Sequence, residues 1–260
     1  MKRWLMSGGI VAGVVVAFAV AIVVGMIAGA GGIAVGDGVV QAQPSGAGRV
    51  PTPAPTGTPT PTPSPTPTPT PPKKKAKPPV ALFVGDSYTV GQGASSSAKR
   101  WSTLVADEMG WTELNVAQGG TGYVSRSVKI PKLSYGEQLR AAPKKGVQVV
   151  VIAGGQNDFP ELREDPERVF STVARAFELA HQRFPDAEIV AVGPSTPWDI
   201  GLEARALDSA VRAAAEKQEA TYVSLLDPDV VPDRFVHSDG IHVTDKGYAA
   251  IAHRVISQIS

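Results

Sequence analysis

The amino-acid sequence predicts an α/β domain over residues 80–260, built as a five-stranded parallel sheet between two layers of helices. Three observations indicate this three-layer α/β/α class. Short apolar runs alternate with amphipathic stretches, the apolar runs are β-branched with little polar alternation, and about 180 residues suit one domain. Strands buried on both faces have this composition, and right-handed crossovers through intervening helices keep such strands parallel.

Five strands and five helices are predicted in chain order. The strands are the β-branched runs 80–84, 113–117, 147–153, 188–192 and 220–226. The helices are the longer amphipathic stretches 99–109, 134–142, 166–183, 201–218 and 244–258. Asp165 before Pro166 predicts the start of the third helix, because an N-cap residue there precedes a proline at the first helical position. Thr244 is predicted to cap the fifth helix.

Residues 1–42 are predicted to form a cytoplasmic stub and a transmembrane signal anchor. The stretch 4–36 has 33 residues without a charged side chain, whereas a hydrocarbon core about 30 Å thick needs roughly 20 apolar residues. Lys2 and Arg3 precede this stretch, and positive flanks stay in the cytoplasm, so we expect the C-terminal part outside the cell membrane. The alternative is secretion after cleavage near Ala42, which ends a small-residue cleavage pattern.

Residues 43–79 are predicted to be a disordered Pro/Thr-rich linker. Fourteen of the 23 prolines lie between Pro44 and Pro79, mostly in Thr-Pro repeats. Proline fixes φ and has no amide donor, so a polyproline-like chain of about 3.1 Å per residue is expected, on the order of 100 Å if fully extended. A spacer of this length carries a domain away from the membrane into the cell envelope.

Charge and composition exclude several classes of function. Residues 1–79 hold seven of the 25 basic and one of the 24 acidic side chains, so residues 80–260 carry 18 basic and 23 acidic groups. A net acidic domain does not offer the basic face that binds nucleic acid. The sequence has no cysteine and only four histidines, three of them in its last 24 residues, so thiolate chemistry is excluded and a metal site is not expected.

Polar and small residues follow the first three predicted strands. Ser87 comes directly after the first strand, the pair Gly119–Gly120 follows the second, and Asn157 follows the third. Ligands of open parallel sheets bind beyond the carboxyl ends of the strands, so these residues are candidates for a common site. Taken singly, each is equally typical of a turn.

An acid and a base lie close together near the C-terminus. Asp239 precedes His242 by three residues, so its carboxylate can accept the Nδ1–H of the imidazole and stabilise the imidazolium that forms on proton uptake. Nε2 then remains free to activate a serine hydroxyl, which is a weak nucleophile without a base. His237 is the rival base, but it lacks such a partner and is interpreted as a loop residue or a contact at the mouth of the site. His181 and His253 fall in predicted helices and are interpreted as surface residues or as partly buried residues with satisfied hydrogen bonds.

Together these segments resemble the SGNH/GDSL hydrolase family, and the resemblance covers residues 80–260. The four matching segments, in the family's order, are Gly85-Asp86-Ser87-Tyr88, Asn115-Val116-Ala117-Gln118-Gly119-Gly120, Gly155-Gln156-Asn157-Asp158 and Asp239-Gly240-Ile241-His242. Tyr88 stands where the family's name has leucine, so the substrate is not inferred from lipase-like members. No Gly-x-Ser-x-Gly pattern surrounds Ser87, which argues against the α/β-hydrolases with a nucleophile elbow.

The resemblance implies a flavodoxin-like three-layer domain that hydrolyses esters through an acyl-enzyme. Ser87 would be the nucleophile, His242 the general base and Asp239 the orienting acid. The oxyanion hole would comprise the amide of Ser87, Gly120 and the side chain of Asn157, with Gly119 as the alternative to Gly120. Neither a metal nor an organic cofactor is implied, and we expect a monomeric catalytic domain.

We therefore expect an extracytoplasmic serine esterase that removes small acyl groups, acetyl first among them, from carbohydrate or other envelope esters. An anchor with a long spacer suits a polymeric substrate in the wall. Trp198 follows the fourth strand and would either stack on a sugar at the mouth of the site or pack in the core. The alternatives are an acyltransferase with the same triad and a non-catalytic wall-binding domain.

Overall fold

The computed structural model describes residues 77–126 and 131–260. The predicted anchor over residues 1–42 and most of the predicted linker lie outside these residues. None of the helices in the described part of the chain combines the length and the apolar character needed to cross a bilayer.

A five-stranded parallel sheet forms the centre of the domain, as predicted. Its strands are β1 (Val80–Gly85), β2 (Thr112–Asn115), β3 (Val147–Ala153), β4 (Glu188–Val192) and β5 (Thr221–Val223). They are arranged in the order β2-β1-β3-β4-β5, and every neighbouring pair is parallel. This order reverses direction between β1 and β3, the point at which doubly wound sheets bind their ligands.

Seven helices surround the sheet within the described residues. They are α1 (Ser87–Val90), α2 (Trp101–Glu108), α3 (Tyr135–Ala141), α4 (Phe159–Glu164), α5 (Pro166–Arg183), α6 (Leu202–Lys217) and α7 (Asp245–Ile259). Three short 3₁₀ segments, Ser97–Lys99, Gln156–Asp158 and Asp233–Phe235, complete the described elements. The two short helices α1 and α4 were not predicted, because four and six residues are too few to show a helical apolar period.

Both faces of the sheet are covered, which confirms the three-layer prediction. Along β1, Leu82 and Val84 pack into the core shared with α3, α5 and α6, whereas Ala81 and Phe83 pack into the core shared with α2 and α7. All four side chains are fully buried. Strands of this kind have no polar face, and this accounts for the continuous apolar runs in the sequence.

Both β2 and β5 end earlier than predicted. β2 ends at Asn115, although Val116 and Gln118 still donate their N–H groups to the carbonyls of Phe83 and Gly85 in β1, both at 3.0 Å. The intervening N–H of Ala117 donates to Oδ1 of Asn115 at 3.1 Å. β5 stops at Val223 because the hydroxyl of Ser224 accepts the N–H groups of Leu226 and Asp227, both at 3.2 Å. Side chains that bond nearby backbone in this way favour turns over extended structure.

The two predicted helix caps differ in outcome. Asp165 caps α5 as expected, since its carboxylate accepts the N–H of Arg168 at 3.0 Å. Thr244 occupies the N-cap position of α7, but its hydroxyl makes no capping hydrogen bond. The first residue of that helix, Asp245, accepts hydrogen bonds from the N–H and the hydroxyl of Ser95. The start of α7 is therefore joined to the loop that follows α1.

Candidate active site

Ser87 lies at the carboxyl end of β1 and is the first residue of α1. Asp86 precedes it as the N-cap, and its carboxylate accepts the N–H of Tyr88 at 2.9 Å. The helix ends after one turn at Gly91, whose φ of 85° is in the left-handed region that favours glycine. Ser87 is therefore held in a tight strand-to-helix turn at the edge where ligands of such sheets bind.

Asp239 and His242 form a hydrogen-bonded pair in the loop before α7. The Nδ1 of His242 lies 2.7 Å from Oδ2 of Asp239. A carboxylate accepts hydrogen bonds, so Nδ1 carries the proton and Nε2 presents its lone pair. Hydrogen bonds from the N–H of Ile241, then from the ring and N–H of His242, hold the pKa of the Asp239 carboxyl well below its usual range. Asp239 is therefore ionised throughout the neutral range.

Tyr88 connects the serine helix to the histidine loop. Its hydroxyl donates to the carbonyl of Ile241 at 2.7 Å, and its ring centroid is 6.4 Å from that of His242. A Cβ added to Gly93 would lie 3.1 Å from the Cβ of His242, so the chain after α1 also contacts this loop. Segments more than 150 positions apart in sequence thus meet at one edge of the sheet.

The hydroxyl of Ser87 and the ring of His242 lie at the same edge of the sheet but are not hydrogen-bonded to each other. Within residues 77–126 and 131–260, no hydrogen bond links the Ser87 hydroxyl to Nε2 of His242. Long or poorly aligned catalytic hydrogen bonds are common in unliganded hydrolases and shorten in the substrate complex.

The other three histidines have the positions expected from the sequence. His237 is exposed, and its Nε2 lies 2.7 Å from the carbonyl oxygen of Gly93. A carbonyl only accepts, so this nitrogen is a donor and the ring braces the loop. His181 and His253 are exposed on α5 and α7. In the described part of the chain no group of three or more His, Cys, Asp or Glu side chains is placed to hold a metal ion.

The two glycines considered for the oxyanion hole have different surroundings. Gly119 is buried, and a Cβ there would lie 2.9 Å from the amide nitrogen of Gln92. Gly120 is exposed, has a φ of 77°, and has nothing closer to such a Cβ than Lys132 at 3.9 Å. Gly120 therefore faces open space, whereas Gly119 packs against the loop after α1.

Asn157 lies beside the glycine loop, as the predicted site requires. Its side-chain amide donates one hydrogen bond to the carbonyl of Thr121 at 2.9 Å. A primary amide has two N–H groups, so the second remains for another acceptor. The hydroxyl of Ser125 donates to the carbonyl of Asn157 at 2.8 Å, which joins the two loops a second time.

A buried carboxylate that was not predicted as functional fixes the glycine loop. Asp158 is fully buried and accepts three consecutive backbone N–H groups, from Tyr123 at 2.6 Å, Val124 at 3.1 Å and Ser125 at 2.7 Å. Burial raises the pKa of the Asp158 carboxyl, and the hydrogen bonds from Ser125 and the neighbouring amides oppose that effect. These partners lie more than 30 positions away in the sequence, so no local residue pattern predicts the hydrogen bonds.

Asp86 is a second buried carboxylate whose contacts the sequence does not reveal. Its Oδ2 accepts the hydroxyl of Tyr135 at 2.8 Å and the N–H of Gly155 at 3.3 Å. Burial raises the pKa of the Asp86 carboxyl, against the lowering effect of Tyr135 and of the amides of Tyr88 and Gly155. A Cβ at Gly154 would overlap this carboxylate, and the φ of 109° also requires glycine. Asp86 thus joins the ends of β1 and β3 directly behind Ser87.

Asn115 was identified in the sequence only as the start of a motif. In the structure it supports α1 from the side opposite to Gly155. Its side-chain amide donates to the carbonyl of Thr89 at 2.7 Å and approaches the hydroxyl of Ser102 at 3.1 Å. Thr89 lies within the same turn of helix as Ser87. Both neighbouring strands, β2 through Asn115 and β3 through Gly155, therefore hold the turn that carries the serine.

Replacing Tyr135 by phenylalanine is expected to lower the free energy of unfolding by about 1–3 kcal/mol, because a buried carboxylate loses a hydrogen-bond donor. Tyr123 is the matched control. Both rings are fully buried with centroids 4.8 Å apart, but the hydroxyl of Tyr123 has no partner among the described residues. Tyr123→Phe should therefore leave stability unchanged or raise it. Urea unfolding of the full-length protein, followed by tryptophan fluorescence, measures both. Equal losses would show that the hydrogen bond from the Tyr135 hydroxyl to Asp86 stabilises the protein no more than the unpartnered hydroxyl of Tyr123 does.

Comparisons with known proteins show relatives of this chain in sequence and in fold. The chain is 29% identical over 197 residues to a GDSL lipase of Mycobacterium tuberculosis (strain ATCC 25618 / H37Rv), covering 70% of this chain and 81% of that protein. The crystal structure of TesA matches with a TM-score of 0.57 at 19% identity, over 70% of this chain and 98% of that one.

Two carbohydrate esterases of family two share the same fold. That of Cellvibrio japonicus matches with a TM-score of 0.57 at 19% identity, over 70% of this chain and 61% of that one. That of Clostridium thermocellum, solved in complex with cellohexaose, matches with a TM-score of 0.55 at 20% identity, over 71% of this chain and 65% of that one.

The family itself is established by a match over most of the chain. Residues 83–250 match the model of the GDSL-like Lipase/Acylhydrolase family, an interval that begins in β1 and ends in α7. It contains all four motifs found in the sequence. The chain therefore belongs to the GDSL-like lipase/acylhydrolase family and is an ester-hydrolysing enzyme.

Proposed function

We propose that the protein is an extracytoplasmic serine esterase that removes small acyl groups from carbohydrate esters through an acyl-serine intermediate. The observation that carries this proposal is the Asp239–His242 pair, joined at 2.7 Å and connected through Tyr88 to the helix that begins with Ser87. The pair supplies a base of fixed tautomer beside an otherwise weak nucleophile.

The proposed reaction has two steps. The Ser87 hydroxyl attacks the acyl carbonyl while Nε2 of His242 accepts its proton, and the ionised Asp239 stabilises the imidazolium. The proton then passes to the leaving alkoxide, and the sugar hydroxyl departs. Water, activated by the same nitrogen, attacks the acyl-serine and releases the free acid. Each half-reaction returns the histidine to its neutral form.

The oxyanion that forms in each step needs donors that are already in place. We assign these to the backbone amide of Ser87, the amide of Gly120 and the second N–H of Asn157. Gly120 is preferred to Gly119 because it is exposed and open, whereas Gly119 is packed against Gln92. Asn157 retains a free N–H after donating to Thr121.

The proposed substrate and the proposed cellular location are supported by different observations. Two carbohydrate esterases that share the fold support a carbohydrate substrate, and the predicted anchor and spacer suit a polymer in the cell envelope. Lys2 and Arg3 before the apolar stretch 4–36 support the outer location. Acetyl is proposed as the acyl group because residues 80–260 contain no extended apolar stretch suited to a lid over a long acyl chain.

Covalent labelling tests the nucleophile directly. A fluorophosphonate reacts with an activated serine, so incubation of the full-length protein should give one adduct, located by mass spectrometry in the peptide containing Ser87. Ser87→Ala should remain unlabelled, as should native protein unfolded in urea before incubation. An adduct on another serine, or no adduct on folded protein, would overturn the proposal.

A further inference from the structure

A cavity lies at the carboxyl edge of the sheet, beside the proposed oxyanion donors. Its volume is about 260 Å³, and it is formed between α4, the start of α6 and the loop after β4. Phe159, one of its lining residues, begins α4 two positions after Asn157. Because β3 and β4 are adjacent, the loops that follow them place this cavity next to the serine site. The residues used in the four sequence motifs do not line it.

Trp198 presents an aromatic surface to this cavity. Its side chain lines the cavity, and the residue is 54% exposed, unlike the buried Trp101. The backbone is fixed, because the N–H of Trp198 donates to the hydroxyl of Thr196 at 3.1 Å and Thr196 is itself buried. An exposed indole on a backbone held in this way offers a flat apolar surface on which a ligand ring can stack.

The other lining side chains determine the kind of ligand. Arg163 pairs with Glu203 at 2.8 Å, and Asp199 adds another carboxylate. Hydroxyl groups of a ligand can hydrogen-bond to these three side chains, whereas a hydrocarbon chain would displace the water around them without replacing its hydrogen bonds. With one cation and two anions, the cavity has a net negative charge that disfavours acidic glycans and lipid phosphates.

We propose that Trp198 and this cavity form a binding subsite for an uncharged sugar ring of the ester substrate, with the ring stacked on the indole and its hydroxyls bonded to Arg163, Asp199 and Glu203. This proposal rests on the proposed function, because it places the sugar beside the acyl group that Ser87 attacks. Trp198 is a specificity-determining residue here and takes no part in the chemistry.

The first test compares two substrates in the full-length protein, purified in a detergent without a sugar headgroup. Trp198→Ala should lower kcat/KM for O-acetylated cello-oligosaccharides about tenfold, mostly through KM, because stacking and burial of this size contribute on the order of 1.4 kcal/mol. Hydrolysis of ethyl acetate, whose leaving group has neither a sugar nor a ring that could stack on the indole, should stay within about twofold of the unmodified protein. Trp198→Phe should recover part of the loss.

Leu202→Ala is the matched control. Leu202 lies four residues along the same connection, is 84% exposed and does not line the cavity, so this variant should leave both activities unchanged. Equal losses on both substrates in Trp198→Ala would show a structural role. Unchanged rates on both, or a loss confined to p-nitrophenyl octanoate, would overturn the sugar subsite.

A binding measurement separates this proposal from the proposed function. Titration of Ser87→Ala with cellohexaose, followed by calorimetry, needs no turnover and should give binding that the added substitution Trp198→Ala weakens about tenfold. Polygalacturonate should bind more weakly because of its carboxylates. Absence of cellohexaose binding would refute the subsite even if fluorophosphonate labels Ser87, whereas binding without labelling would refute the esterase mechanism alone.

Discussion

Replacing Ser87 by alanine is expected to lower kcat for p-nitrophenyl acetate by about 10⁴- to 10⁶-fold, the loss typical of removing the nucleophile from a serine hydrolase. Alanine fits the same turn, because the Asp86 cap and the Asn115 bond to Thr89 do not involve the hydroxyl. Folding should therefore be unaffected. Release of p-nitrophenol by the full-length protein is the measurement.

Ser171→Ala is the control for this experiment. Ser171 is exposed on α5, and its hydroxyl bonds only the carbonyl of Arg168 among the described residues. The rate of this variant should equal that of the unmodified protein. If Ser87→Ala kept more than a few per cent of the activity while retaining the same circular dichroism, Ser87 would not be the nucleophile.

Replacing His242 by alanine is expected to lower kcat by about 10⁴-fold or more, and the double variant Ser87→Ala/His242→Ala should be no slower than the worse of the two singles. The reason is that the imidazole acts only by moving the proton of the serine hydroxyl, so removing either group removes the same step. His237→Ala is the matched control in the same loop. Since its Nε2 is committed to the carbonyl of Gly93, the loss should be less than about tenfold.

Two results would contradict this assignment. Losses in the double variant that multiply would indicate that serine and histidine act in separate steps. A His237→Ala variant as slow as His242→Ala would indicate that the base had been assigned to the wrong histidine. Circular dichroism of each variant separates such outcomes from unfolding.

Much of the fold could be predicted because its strands are buried on both faces. The bounds of β3, β4 and α5 agree with the predictions, since long apolar or strongly periodic segments are the clearest patterns a sequence contains. α1 and α4 were missed because one or two turns give no period. β5 was predicted too long because the side chain of Ser224 accepts the backbone N–H groups that follow it, whereas β2 keeps two further hydrogen bonds to β1 beyond its last residue, Asn115.

In the candidate site too, a contact between residues close in sequence could be predicted, whereas contacts between distant residues could not. Asp239 and His242 are three residues apart, so their hydrogen bond could be predicted from spacing alone. The roles of Asp86 and Asp158 could not, because their partners Tyr135 and Tyr123 lie 49 and 35 positions away. Only the fold brings these groups together, and nothing in the local residue types distinguishes a buried carboxylate from a turn former. The catalytic roles of Ser87, Gly120 and Asn157 remain predictions for the experiments above.

The hydrogen bonds from three backbone amides to Asp158 bear on the reorganisation energy of the proposed reaction. Residues 121–126, which follow Gly120, form no helix or strand, yet moving them would leave the buried carboxylate of Asp158 short of donors. The amides of Tyr123, Val124 and Ser125 are thus already oriented in the free protein. If Gly120 donates to the oxyanion as proposed, a neighbouring chain held in this way would need little reorganisation energy as negative charge develops on the carbonyl oxygen, whereas mobile water would have to turn toward it during the reaction.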